Sequence, residues 1–207
     1  MEANHPDFKF AWAKSIFYNF RRVHNDGLYD CIFFQRDGKT GALAVEVATT
    51  YDPLWKGEYA SKLGRNTGLS NLKFGKPNAI EAELNWYACD NSKEQLHLIL
   101  QEISGDLRIH AMNFFDESAR DLRSDKLLQH GLGLTRLFLP LNGKDQMQLA
   151  ADLKAAQYMA RNLQNHLYEC LKAGLGEFAK NNGLSAEYIE WYAFGFLFIL
   201  QEESKLI

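Results

Sequence analysis

Three cysteines, Cys31, Cys89 and Cys170, stand in a chain of 207 residues. Their odd number and wide separation exclude a disulfide scaffold and a thiolate metal cluster, so reduced, buried thiols are expected. Four prolines and 15 glycines are too few for a collagen-like or linker-like chain. No run reaches the roughly 20 apolar residues that a membrane-spanning helix needs; the longest, 191–200, has about half of that. Residues 1–10 carry Glu2 and Asp7 and no apolar stretch, so no signal peptide is expected and the chain reads as soluble and cytoplasmic. Charge of one sign is lacking too. A net −3 does not suit a nucleic-acid binder that works by bulk electrostatics. Familiar catalytic patterns are missing: no G-x-S-x-G, no C-x-x-C, no Walker loop, and Gly131-Leu132-Gly133 has Arg136 where a dinucleotide fingerprint needs glycine. Nor do the six histidines, His5, His24, His97, His110, His130 and His166, contain an i, i+4 pair suited to a metal.

What is present is apolar and aromatic. Hydrophobic residues make up 46% and aromatics 13% of the chain, enough for a sizeable core. Residues 16–24 are rich in aromatic and β-branched types and end at Asn25-Asp26-Gly27, a tight-turn signal. A second strand is expected over 28–35. A third, over 42–50, has Leu43, Val45 and Val47 alternating with Ala44, Glu46 and Ala48. Alternation returns at 79–89 and predicts a fourth strand, whereas the glycine-rich stretch 56–76 reads as loop or short helix.

Beyond residue 90 the pattern turns helical. Ser92 and Gln95 fit a capping box ahead of Leu96, Ile99, Leu100 and Ile103. A second helix is expected over 107–123, carrying Ile109, Met112, Phe114 and Phe115, and 134–139 reads as a further strand or a connection. Leu149, Leu153, Ala156, Ala160, Leu163, Leu167 and Cys170 then recur at spacings of four and three, a heptad stripe expected to end at Gly174 and Gly176. Aromatic and aliphatic residues ring the last segment, 186–203, so burial on every side is expected. The fold class is therefore α+β: an antiparallel meander of about four strands with helices on one face and a helical C-terminal third. Residues 1–141 would form the sheet domain, and 142–207 a helical extension packed on it.

The order of a meander, a Trp-bearing strand (Leu84-Asn85-Trp86-Tyr87), a capped helix and then Ile109-His110-Ala111-Met112-Asn113-Phe114-Phe115 resembles an uncharacterised family of small bacterial α+β proteins over residues 8–130. That resemblance implies a fold and no activity. A second resemblance is local. Asp30 on one strand and Glu46 on the next look like the core of the PD-(D/E)xK nucleases, whose Asp and Glu hold Mg²⁺ through hard oxygen ligands. The lysine that the motif places two residues after the Glu is Ala48 here, and Lys39, Lys56 or Lys62 would have to replace it. The structural alternative makes Asp30 a turn residue at a strand edge and Glu46 a solvated surface residue.

Residues 55–76 hold Lys56, Lys62, Arg65, Lys73 and Lys76 against the single acid Glu58, with Trp55, Tyr59 and Phe74 among them. Such a segment suits a phosphate, a single strand or the rim of an acidic partner. The binding residues expected here are Trp55, Lys56, Lys62, Arg65, Lys73 and Lys76, and Trp191, Phe194 and Phe198 share one face of the last helix as expected interface residues. Function is accordingly expected to be non-enzymatic: an accessory or immunity-like module that binds a protein partner, or itself as a homodimer, with no cofactor and no membrane. The alternative is a degenerate metal-dependent nuclease with Asp30, Glu46 and Mg²⁺ as its centre and nucleic acid as its partner.

Overall fold

The computed structural model describes residues 5–14, 16–51, 63–75, 87–89, 92–138 and 157–203. Among the described residues five antiparallel strands form one sheet in sequence order: β1 (Lys9–Lys14), β2 (Phe17–Val23), β3 (Tyr29–Arg36), β4 (Leu43–Thr50) and β5 (Gly64–Gly68). The meander β2–β3–β4 forms where the alternation predicts it. Its two turns end on glycines in the left-handed region, Gly27 at φ 83° and Gly41 at φ 75°, which side chains with a Cβ rarely adopt.

Alternation divides each strand between two faces. On one face Ile32, Phe34, Leu43, Val45 and Val47 form a buried core with Ile99, Ile103, Leu107, Ala111 and Phe115. Those last five residues recur every four positions from α2 (Lys93–Asp106) through a π turn (Leu107–Ala111) into α3 (Met112–Ser124). A strict spacing of four drifts about 40° per step around an α-helix, so a plain helix would carry Phe115 off the sheet. The wide π turn offsets most of that drift and keeps the row on the core. Burying each of the larger members fully is worth roughly 1.5–3 kcal/mol. The Ser92 hydroxyl accepts from the Gln95 amide at 3.2 Å, the N-cap half of the expected box.

Several expectations are corrected. Residues 9–14, passed over in the sequence, form β1. In the stretch expected as loop or short helix, 64–68 is strand β5 and only Leu69–Lys73 is the short helix, α1. Gly64 is indispensable there, because a Cβ would lie 2.4 Å from the Thr49 carbonyl oxygen and from the Thr50 Cβ. The helix expected after the Ser92–Gln95 box and the one expected over 107–123 are one continuous element, and Leu100, placed on the apolar stripe, and Ile109 are exposed. Of the strand expected at 79–89, only 87–89 are described. Tyr87 makes an isolated antiparallel bridge to Leu43, with N–O distances of 3.0 and 2.7 Å.

The chain divides into two compact units, Met1–Asp121 and Leu122–Ile207. Because the division falls inside α3, α4 (Lys126–Phe138) groups with α5 (Gln157–Asn181) and α6 (Ile189–Glu203). The boundary expected near 141–143 and the stretch 149–156 of the heptad stripe lie outside the described residues. Residues 134–138 are helix, not strand, and α5 runs on through Gly174 and Gly176. These three helices pack on one another. Gly131 on α4 lets them close, since a Cβ there would lie 1.9 Å from the Phe196 ring. The Asp125 carboxylate caps α4, accepting from the Leu127 and Leu128 amides at 3.0 and 2.9 Å, and also takes the Tyr192 hydroxyl of α6. Among the described residues no helix is long and apolar enough to cross a membrane.

Candidate functional site

Ladder register decides whether Asp30 and Glu46 meet. Asp30 is opposite Thr49, and Glu46 is opposite Phe33. An odd number of positions separates the two rungs, so the side chains leave the sheet on opposite faces. Asp30 joins the face of Ile32 and Phe34; Glu46 joins the face of Cys31, Phe33 and Ala48. The two carboxyl groups are not brought together. No group of three or more His, Cys, Asp or Glu side chains suited to a metal occurs among the described residues.

Asp30 is fully buried, in place of the expected strand-edge turn. Its Oδ2 accepts from Arg22 Nε at 2.9 Å and Nη2 at 2.7 Å and lies 2.6 Å from His24 Nε2, while Oδ1 accepts from the Thr49 hydroxyl at 2.8 Å. Arg22 and Asp30 are direct cross-strand partners, and the guanidinium lies 5.2 Å from the Phe8 ring centroid and 5.8 Å from that of Phe115. Both carboxylate oxygens are satisfied, as a buried charge requires. The cluster clamps β2, β3 and β4 together at one end of the helix-covered face.

Among the described residues Glu46 has no such partners. It is half-buried rather than fully solvated, and that burial alone pushes its carboxyl up to about 7. Its other neighbour in the ladder is Gly68, which has no side chain. A Cβ at Gly68 would meet the Asn71 Nδ2 at 3.5 Å and the Ser70 Oγ at 3.6 Å, so these two groups pack against the glycine opposite Glu46. Ser70 and Asn71 are each only 7% exposed, and the Asn71 Nδ2 is buried with no hydrogen-bond partner. Two strands away on the same face Asn19 is fully buried. Its Oδ1 accepts from Arg21 Nε at 3.0 Å, and its Nδ2 has no acceptor.

The basic segment is described only in part. Trp55, Lys56, Lys62 and Lys76 lie outside the described residues. Arg65 pairs with Asp121. Lys73 pairs with Glu102 at 3.1 Å and Asp106 at 2.9 Å, and the Tyr87 hydroxyl donates to the same Asp106 oxygen at 2.9 Å. Hydrogen bonding to Asp106 holds the Lys73 ammonium above its usual range, and burial raises the Tyr87 phenol. Both described cations are thus tied to carboxylates of their own unit. Sequence reading missed these acids because they lie dozens of positions away.

On α6 the aromatic residues separate by face. Ala193 and Phe196 are fully buried, whereas Tyr188, Trp191 and Phe194 are 54%, 43% and 49% exposed. This corrects the expectation of burial all round. The side chain of Phe198 lies outside the described residues. Beside this face the Tyr168 ring packs on Phe194 at 4.6 Å, and Lys172 pairs with Glu190 at 2.7 Å. Among the histidines, His5 bonds to Ser104 at 3.1 Å and His130 stacks on Phe178 at 4.0 Å, while His97 bonds to Gln101 at 3.0 Å on an exposed helix face. No protein-family model matches the chain, and neither a curated protein nor a solved structure does.

Proposed function

We propose that the chain is a non-enzymatic protein-binding module of the accessory or immunity type, docking through the outer face of α6. The observation that carries this reading is the pair Trp191 and Phe194, each over 40% exposed on a helix whose opposite face is buried. Large aromatic rings amid polar groups are what protein interfaces concentrate at their energetic centres. Lys172, Glu187 and Glu190 put both signs of charge beside the rings. A patch carrying both signs can meet its own copy about a two-fold axis, so a second chain is the first partner to test.

Sedimentation of the purified chain over a wide concentration range tests this directly. A concentration-dependent dimer that Trp191→Ala and Phe194→Ala both weaken is expected. A monomer throughout removes the self-pairing form. The reading as a whole fails if neither substitution weakens the complex with any partner isolated from the native host.

A further inference from the structure

We propose that the outer edge of β1 takes an added strand from a protein partner, an extended peptide that alternates acidic and apolar residues. This surface belongs to the sheet unit and is independent of the aromatic face of α6.

β1 ends the sheet and, among the described residues, pairs with β2 alone. Half of an edge strand's N–H and C=O groups point away from its neighbour, where an incoming chain can pair with them. Lys9, Phe10, Ala11, Ala13 and Lys14 are all exposed, so the strand is open on both faces as well as along its edge.

Register sorts these side chains. Between Phe10 and Trp12 the ladder skips Ala11, and the rungs run Lys9–Arg21, Phe10–Phe20, Trp12–Asn19, Ala13–Tyr18 and Lys14–Phe17. Residues that share a rung share a face. The bulge therefore brings Lys9 and Lys14 to the face of Arg21, although their odd separation in sequence would otherwise oppose them. Phe10 and Tyr18 lie on the other face, 51% and 38% exposed, and the Phe10 ring packs edge-on against Phe20 at 5.7 Å. Residues 8–23 hold four cations and no acid, in a chain of net charge −3. Arg22 is held by Asp30, whereas among the described residues Lys9 and Lys14 have no ion pair.

These charges select the partner. A second β1 laid antiparallel on the first sets Lys9 against Lys14, and one laid parallel sets each lysine against its like; both arrangements are destabilising. Edge lysines thus turn away the strand's own copy and draw an acidic one. Their rung partners Arg21 and Phe17 are four residues apart, so acids at positions i and i+4 of the added strand meet both lysines. Positions i+1 and i+3 fall on the face of Phe10 and Tyr18, where apolar side chains extend the aromatic contact.

The test is an NMR titration of the full ¹⁵N-labelled chain with a capped peptide, Glu-Val-Glu-Val-Glu-Val-Glu. Comparison probes are Lys-Val-Lys-Val-Lys-Val-Lys, Glu-Glu-Glu-Glu-Val-Val-Val and a thymidine oligonucleotide. Expected with the alternating acidic peptide are saturable shifts of the amides of 9–14 and slower hydrogen exchange of the same amides. The grouped-acid peptide should bind more weakly and the lysine peptide not at all. The double variant Lys9→Glu, Lys14→Glu, at exposed positions, should keep the wild-type spectrum elsewhere and reverse the preference. Its affinity for the acidic peptide should fall about tenfold or more, because two like-charge cross-strand pairs replace two opposite ones. No saturable shift, shifts without slowed exchange, or equal binding of the grouped-acid peptide would overturn the proposal, as would a charge-reversed variant that still holds the acidic peptide. Binding of the oligonucleotide at 9–14 in place of the peptide would also overturn it and make this a nucleic-acid surface.

Discussion

The two faces of the sheet treat an acid in opposite ways. On the helix-covered face Asp30 receives Arg22, His24 and Thr49, and its charge is fully met by donors. On the other face Glu46 receives none of these, and burial pushes it up to about 7. The acids lie on adjacent strands, three rungs apart, and differ mainly in which way the pleat aims them. A carboxyl drawn away from water therefore becomes a structural clamp or a group that holds its proton more tightly, according to the donors its face supplies.

Asp30→Ala is the strongest way to break this comparison. It leaves Arg22 and His24 without their acceptor and should cost about 3–5 kcal/mol by urea unfolding. A loss below about 1 kcal/mol would show that the clamp stabilises little. The same contrast of faces can be put to α6. Phe196→Ala, at a fully buried ring, should cost about 3–5 kcal/mol.

Glu46→Gln should act in the other direction. The folded-state value lies above the unfolded one, so the native chain binds the proton more tightly. Its contribution is fully present below pH about 4.5 and is lost as pH rises to about 7. Gln removes that loss, and the variant should be more stable than wild type at pH 8, by at most about 3 kcal/mol, and equal to it near pH 4. Unfolding curves that stay parallel from pH 4 to 8 would put Glu46 in water. Smallest of all, Phe194→Ala should stay within about 0.5 kcal/mol for the isolated chain, as exposed positions usually do.

Local pattern carried much of the architecture. Alternation in 42–50 and the Asn25-Asp26-Gly27 turn specify the meander, because a two-residue period and a positive φ are properties of a few neighbouring residues. Ser92 and Gln95 likewise mark the start of α2. The π turn left a sign as well: Ile99, Ile103, Leu107, Ala111 and Phe115 recur every four residues, a spacing that no straight α-helix keeps on one face. Strand β5 left almost none. Gly64-Arg65-Asn66-Thr67-Gly68 has no apolar residue, and it is a strand because the edge of β4 offers it hydrogen bonds.

By itself the sequence determined the fold class, the meander with its turns and the helical last third, since each follows from periodicity and turn chemistry over short stretches. It also offered Asp30 and Glu46 as the acids worth following. Tertiary structure alone decided what each acid is. The Asp30–Thr49 and Glu46–Phe33 rungs send them to opposite faces, Arg22 arrives from a third strand and His24 from the turn after it, and Asn71 packs on Gly68 from a helix 25 residues beyond Glu46. Which partners a buried charge meets depends on strand register and on contacts distant in sequence, and no local pattern of residues encodes either.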